Sequence, residues 1–188
     1  MKRFAVCWCV LGLTAAAAQT TSTERAATVP GSPVQERLIG ELRDALRALP
    51  NYGVFDDLAF DLNGATVTLR GSVTRPTLKS DAEKAVKRVE GVATVVNQIK
   101  VLPLSATDDR IRLAVYRSIY SQAGLDRYAL QAIPPIHIIV ENGRVILVGV
   151  VTSKGDKEMA GTRANSVTGV FSVDNRLRVE TPYRGPIQ

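Results

Sequence analysis

The chain writes one pattern twice. GVATVVNQIKV, Gly91–Val101, returns as GVFSVDNRLRV, Gly169–Val179. Shifted by about 78 residues, two units align without a gap over roughly 36 positions at about one-third identity. Val67 meets Val145, Leu69 meets Leu147, Gly71 meets Gly149 and Asn97 meets Asn175. The period is too long and the copies too few for a solenoid. The chain therefore folds as two small domains of one kind.

Each copy reads helix, strand, strand, helix, strand. Leu38, Leu42, Ala45, Leu46 and Leu49 fall at helical spacing, and Pro50-Asn51-Tyr52-Gly53 ends that helix. In copy two, Asp108-Asp109 is the expected N-cap, and Ile111, Val115 and Ile119 form the stripe. Alternating Leu58, Phe60, Leu62 and Val67, Leu69, Gly71, Val73 flank Asn63-Gly64. Ile136, Ile138, Val140 and Val145, Leu147, Gly149, Val151 flank Asn142-Gly143. Asn-Gly between alternating runs marks a hairpin, because both residues tolerate positive φ. The two hairpins differ by about one residue, so their turns need not match.

The second helix of copy one is clearly amphipathic, with Leu78, Ala82, Ala85, Val86 and Val89 on one face. Its counterpart, GDKEMAGTRANSVTG, contains Gly161, Thr162, Asn165 and Ser166, which lower helix propensity. A looser helix held by Ala160, Ala164 and Val167 is expected there. The repeated last strand puts Asn97 and Asn175 on its core side, where each needs a hydrogen-bond partner, expected from a loop backbone. Gly91 and Gly169 stand where a helix must stop. Gly71 and Gly149 lie on the buried strand face, expected to admit a close helix. The class is α+β: two tandem α-β-β-α-β domains, each a three-stranded mixed sheet with two helices on one face.

The segment ahead of the repeats is read differently. Lys2 and Arg3, an apolar run from Phe4 to Leu13 and Ala16-Ala17-Ala18 make a secretory signal, with cleavage expected after Ala18. Both cysteines lie inside it, so the expected mature chain has neither disulfide nor thiol chemistry. Residues 19–33 read as a flexible lead, 34–102 as domain one, 103–107 as a linker, 108–180 as domain two and 181–188 as a tail. Loss of Lys2 and Arg3 leaves a net charge of about +4, too mild for a nucleic-acid surface.

The motif residues carry a resemblance. A hairpin ending in Leu147, Gly149 and Val151, a helix, then Gly169, Val170, Val173, Asn175, Leu177 and Val179 resembles the BON domain. That family is named for bacterial osmotically induced and nodulation proteins. Copy one matches with Leu69, Gly71, Val73, Gly91, Val92, Val95, Asn97 and Val101, with Ile99 in place of Leu. The resemblance spans residues 34–180 and is similar to dual-BON periplasmic proteins. It implies two helices on a three-stranded sheet, a place in the cell envelope, roles in osmotic stress and binding to phospholipid surfaces. It implies no catalytic centre and no cofactor. In lipid-binding relatives the second copy's helices touch the membrane.

The residues themselves offer little chemistry. His137 is the one histidine and has no Cys or paired acidic motif near it, so it is a weak metal ligand. Asp56-Asp57 and Asp108-Asp109 sit at element boundaries and read as caps or turns. No nucleophile elbow or phosphate-binding glycine loop is present, and nothing points to an enzyme. The strongest binding signal is basic and aromatic. Arg110, Arg112, Arg117 and Arg127 interleave with Tyr116 and Tyr120 around the first helix of copy two. Cations and tyrosines suit an anionic headgroup layer. The expected partner is an anionic phospholipid surface in the periplasm. The alternative is an envelope protein docking on a sheet face or edge.

Overall fold

The computed structural model describes residues 33–180. The expected signal sequence, residues 19–32 of the expected lead and the expected tail lie outside the described residues.

Copy one is built from α1 (Pro33–Arg47), β1 (Asp57–Asn63), β2 (Thr66–Val73), α2 (Pro76–Lys87), β3 (Thr94–Asn97) and β4 (Lys100–Val101). Copy two repeats it as α3 (Ala106–Tyr120), a 3₁₀ turn at Asp126–Leu130, β5 (Ile136–Glu141), β6 (Arg144–Val151), α4 (Lys154–Asn165), β7 (Ser172–Asn175) and β8 (Arg178–Val179). In each sheet the central strand pairs antiparallel with the first strand and parallel with the last. Thr66 faces Thr94 and Ser72 faces Lys100 in one unbroken register, so β3 and β4 are one edge strand interrupted at Gln98 and Ile99. β7 and β8 repeat this against β6.

Period two puts Val67, Leu69 and Val73 of β2 on one face, all fully buried. Leu42 and Leu46 from α1 and Leu78, Ala82 and Val86 from α2 close over them. In copy two, Val145, Leu147 and Val151 lie under Ile111, Val115 and Ile119 of α3 and Ala160 and Ala164 of α4. Each fully buried aliphatic side chain contributes about 1.5–3 kcal/mol, and this layer holds each copy together.

Several local expectations change. Copy two's hairpin turns on Asn142 (φ 52°) and Gly143 (φ 74°), as Asn-Gly demands, whereas copy one turns one residue later, on Gly64 (φ 59°) and Ala65. Gly71 and Gly149 do have positive φ, 116° and 126°, but their neighbour is not a helix. A Cβ would fall 2.1 Å from the Asp57 carbonyl oxygen and 1.8 Å from that of Pro135. The first strand's entry crosses there, and only glycine fits. The N-cap of α3 is Ser105, not Asp108: its hydroxyl accepts from the Asp108 amide at 3.2 Å. α4 is as long as α2, despite its sequence. Ser153 caps it by accepting from the Asp156 amide at 3.0 Å, and its small residues let it lie close to the sheet. A Cβ at Gly161 would sit 2.7 Å from the Asn175 amide nitrogen.

The paired asparagines bond to a helix, not a loop. Asn97 donates to the Lys79 carbonyl of α2 at 2.9 Å and accepts from the Ile99 amide at 3.2 Å. Asn175 donates to the Lys157 carbonyl of α4 at 2.6 Å and accepts from the Leu177 amide at 3.3 Å. Each asparagine thus fills the strand break and ties it to the helix above. In copy one Glu83 joins, accepting from Asn97 at 3.1 Å. Hydrogen bonds from Lys87 and Asn97 hold the Glu83 carboxyl below its ordinary range.

Candidate functional site

The basic and aromatic residues of α3 do not form one surface. Arg112 is buried, 4% exposed. Its guanidinium pairs with Asp109 and donates to the Val140 carbonyl at 2.7 Å. Tyr120 is buried as well and donates to the Ile136 carbonyl at 2.7 Å. Burial drives its hydroxyl well above the usual tyrosine range. Tyr116 is half-buried between Tyr120 and Phe55. Arg127 donates to the Asp156 carboxylate at 2.5 Å and to Thr152 at 3.0 Å. Burial alone would raise the Asp156 pKa, but hydrogen bonds from Ser153, Tyr128 and Thr152, with the Arg127 charge, hold it below the usual value. That network ties the 3₁₀ turn to the start of α4. Of the six, Arg110, Arg117 and Arg127 are exposed, but Arg127 is held by Asp156, which leaves Arg110 and Arg117 as the two exposed cations with no ion pair among the described residues. Leu113 lies between them in the helix and is 48% exposed. It is the residue of this face that charge reading alone passed over.

The acidic pairs are structural. Asp56 is buried and accepts from the Gly53 amide, the Thr74 amide and the Thr74 hydroxyl. Asp108 is buried and accepts from the Asn142 and Gly143 amides, both at 2.9 Å, which fixes the hairpin turn of copy two.

His137 lies where the copies meet. It stacks on Tyr52 with ring centroids 5.5 Å apart, and its Nδ1 is 3.3 Å from the Gly53 carbonyl. Burial lowers its pKa, opposed by the nearby Asp57 charge. Burial also pushes the Tyr52 hydroxyl up to about 12. The neighbouring segment goes deeper. The Val54 carbonyl accepts from the Ile138 amide of β5 at 2.8 Å, and Val54 and Phe55 pack against the core of copy two. Lys100 pairs with Glu141 at 2.7 Å across the same junction.

Beside this junction lies a cleft of about 1020 Å³. One wall is α1 and the outer edge of β1, with Ile39, Arg43 and Arg47. The other is Gln131, Ala132, Ile133 and Pro135 with the end of the copy-two sheet, including Arg176 and Arg178. Arg176 pairs with Asp174 at 2.6 Å, while Arg43, Arg47 and Arg178 are exposed and form no ion pair among the described residues. The sequence held the signal for this wall, since Ile39, Arg43 and Arg47 recur at spacing four along α1.

The family model for the BON domain matches residues 57–103 and 107–181. The chain belongs to the BON family. No curated protein sequence matches it. Among solved structures it is similar to CdsD, described as a structural protein of the Type III secretion system of Chlamydia trachomatis. That likeness has 12% identity, covers 77% of this chain and 92% of the other, and has a TM-score of 0.30. A structure of the CdsD C-terminal domain gives 11% identity, 81% and 100% coverage and a TM-score of 0.27. BON domains are generally non-catalytic. Among the described residues, no group of three His, Cys, Asp or Glu is placed to hold a metal. No described helix is long and apolar enough to cross a membrane.

Proposed function

We propose that this tandem BON protein is an exported, non-enzymatic envelope protein that binds anionic phospholipid surfaces peripherally through the outer face of α3. One observation carries the reading: Leu113 stands exposed between Arg110 and Arg117, whose charges no acidic residue neutralises among the described residues. An apolar side chain between two cations suits a headgroup layer, where the leucine enters the interface and the arginines meet phosphate. Each cation contributes on the order of 1 kcal/mol at such a surface, so binding is weak and salt-sensitive. Arg112 and Tyr120 support this face from inside, and Arg127 braces α4.

The test is flotation of residues 19–188 with phosphatidylglycerol and with phosphatidylcholine vesicles at low and high salt. Binding confined to the anionic vesicles, weakened about 30-fold by Arg110→Ala with Arg117→Ala, is the expected result. Equal flotation with both lipids, or an unaffected double variant, refutes it.

A further inference from the structure

The two copies treat one groove in opposite ways. In copy two the groove between α3 and the outer edge of β5 is filled. Three outward backbone groups of β5 are satisfied there: the Ile136 carbonyl by Tyr120, the Ile138 amide by Val54 and the Val140 carbonyl by Arg112. Ile136, Ile138 and Val140 are fully buried.

The equivalent groove of copy one lies between α1 and β1, and it forms one side of the cleft. Leu58, Phe60 and Leu62 hold the places of Ile136, Ile138 and Val140, because Leu58 faces Gly71 as Ile136 faces Gly149. All three are only half-buried. On the helix, Ile39 stands where copy two has Arg112, and Arg47 where it has Tyr120. Isoleucine cannot donate to a carbonyl. Leu69 gives its carbonyl to the Gln98 amide at 2.9 Å, on the β3–β4 side. Phe60, opposite Leu69, therefore turns its amide toward the cleft, where no described group accepts from it. An uncovered strand edge of this kind is a template for another extended segment.

We infer that this cleft binds an extended acidic segment of another polypeptide as an added strand on β1. Copy two shows the mode, since Val54 already lies on β5 through a backbone hydrogen bond with Phe55 packed into the groove. Charge sets the preference. Arg43 replaces the Tyr116 of copy two, Arg47 replaces Tyr120, and Arg178 faces them across the cleft; they outnumber the lining carboxylates Asp57 and Asp61, of which Asp61 is already paired with Arg70. The Phe60 amide, unpaired among the described residues, favours a peptide over a lipid, because a backbone carbonyl satisfies it in register while an acyl chain cannot.

The probe is a labelled peptide of sequence YGVFDD, the chain's own Tyr52–Asp57, compared with YGVFKK. Fluorescence anisotropy is expected to show binding of YGVFDD at least about fivefold tighter than YGVFKK. Arg43→Glu with Arg47→Glu should reverse that preference at unchanged unfolding temperature. By NMR, the Phe60 amide should exchange quickly in the free protein and slowly with YGVFDD bound. Absence of binding, equal binding of both peptides, or a Phe60 amide already protected in the free protein overturns the inference. So does displacement of YGVFDD by phosphatidylglycerol vesicles, which would make the cleft a lipid site. Flotation of the Arg43→Glu, Arg47→Glu variant reads the α3 face separately, so one idea can fail without the other.

Discussion

Arg112 separates charge at a membrane from charge inside a fold. Its guanidinium satisfies the Val140 carbonyl and meets Asp109, while its Nε has no partner among the described residues. Arg112→Ala orphans a buried carbonyl, a cost of about 1–3 kcal/mol. It also removes a packed alkyl stem, about 1 kcal/mol more. The Asp109 side chain is 63% exposed, so water takes over from the lost cation. Relief of the unpaired Nε offsets part of the cost, and the net is about 2 kcal/mol. For the two copies unfolding together, about 150 residues, that lowers the unfolding temperature by about 6 °C. Arg112→Met keeps the stem and should cost about half as much. Calorimetry and flotation on the same samples make the test. Arg112→Met should float with anionic vesicles as the parent does, while Arg110→Ala with Arg117→Ala should not. If Arg112→Met keeps its stability and loses flotation, the buried placement is refuted.

Two further outcomes follow from the fold. Gly149→Ala must accept both a φ of 126° and a Cβ in the Pro135 carbonyl, so the strands must part, and it should lose at least about 3 kcal/mol in urea unfolding, with Gly71→Ala close behind. A Gly149→Ala protein of parental stability would show that the strand entry yields easily. His137 has a folded pKa below its unfolded value, so the unfolded chain takes up the proton first. Its contribution is whole above about pH 6.5 and falls as pH drops toward the folded pKa. Asp57, whose carboxyl is raised by burial, acts with the opposite sign, so the measurement is the difference between the parent and His137→Phe. Parallel unfolding temperatures from pH 7.5 to 5 in the two proteins would remove His137 from the junction's energetics.

What the sequence made legible follows from periodicity. The duplicated stripe of Val67, Leu69 and Val73 against Val145, Leu147 and Val151 specified sheet faces, because burial acts on alternate residues. The Asn-Gly pair placed both hairpins, though only copy two uses both residues at positive φ. Asn97 and Asn175 were legible as bonded but not their partners, since a helix carbonyl in the layer above, 18 residues away in the chain, leaves no mark in local spacing. Charge misled for the same reason. Arg112 and Arg110 look alike in the chain, and only helix phase against β5 makes one a brace and the other a surface group. Phase was readable: Arg112 follows Ile111 directly and precedes Val115 by three, on the flank of the buried stripe. Val54 and Phe55 gave no periodic signal, because their burial is supplied by the other copy.

The first helices of the two copies carry the divergence, and they diverge in complementary ways. α1 and α3 have equal length, with Leu38, Leu42 and Leu46 in the places of Ile111, Val115 and Ile119. The core-facing stripe is kept because the sheet beneath is the same. Outside it, the Arg110, Leu113 and Arg117 of α3 are matched in α1 by Arg37, Gly40 and Asp44. Arg37 is moreover engaged by Glu41 at 3.3 Å. α1 therefore has no counterpart of the proposed lipid face. On the groove side the change runs the other way: the plugging Arg112, Tyr116 and Tyr120 of α3 become Ile39, Arg43 and Arg47, which close nothing. Copy two has spent its groove on holding copy one and keeps an outward face; copy one has an open groove. On this division of labour, grafting Arg110, Leu113 and Arg117 onto the matching places of α1 should add a second lipid contact without touching the cleft.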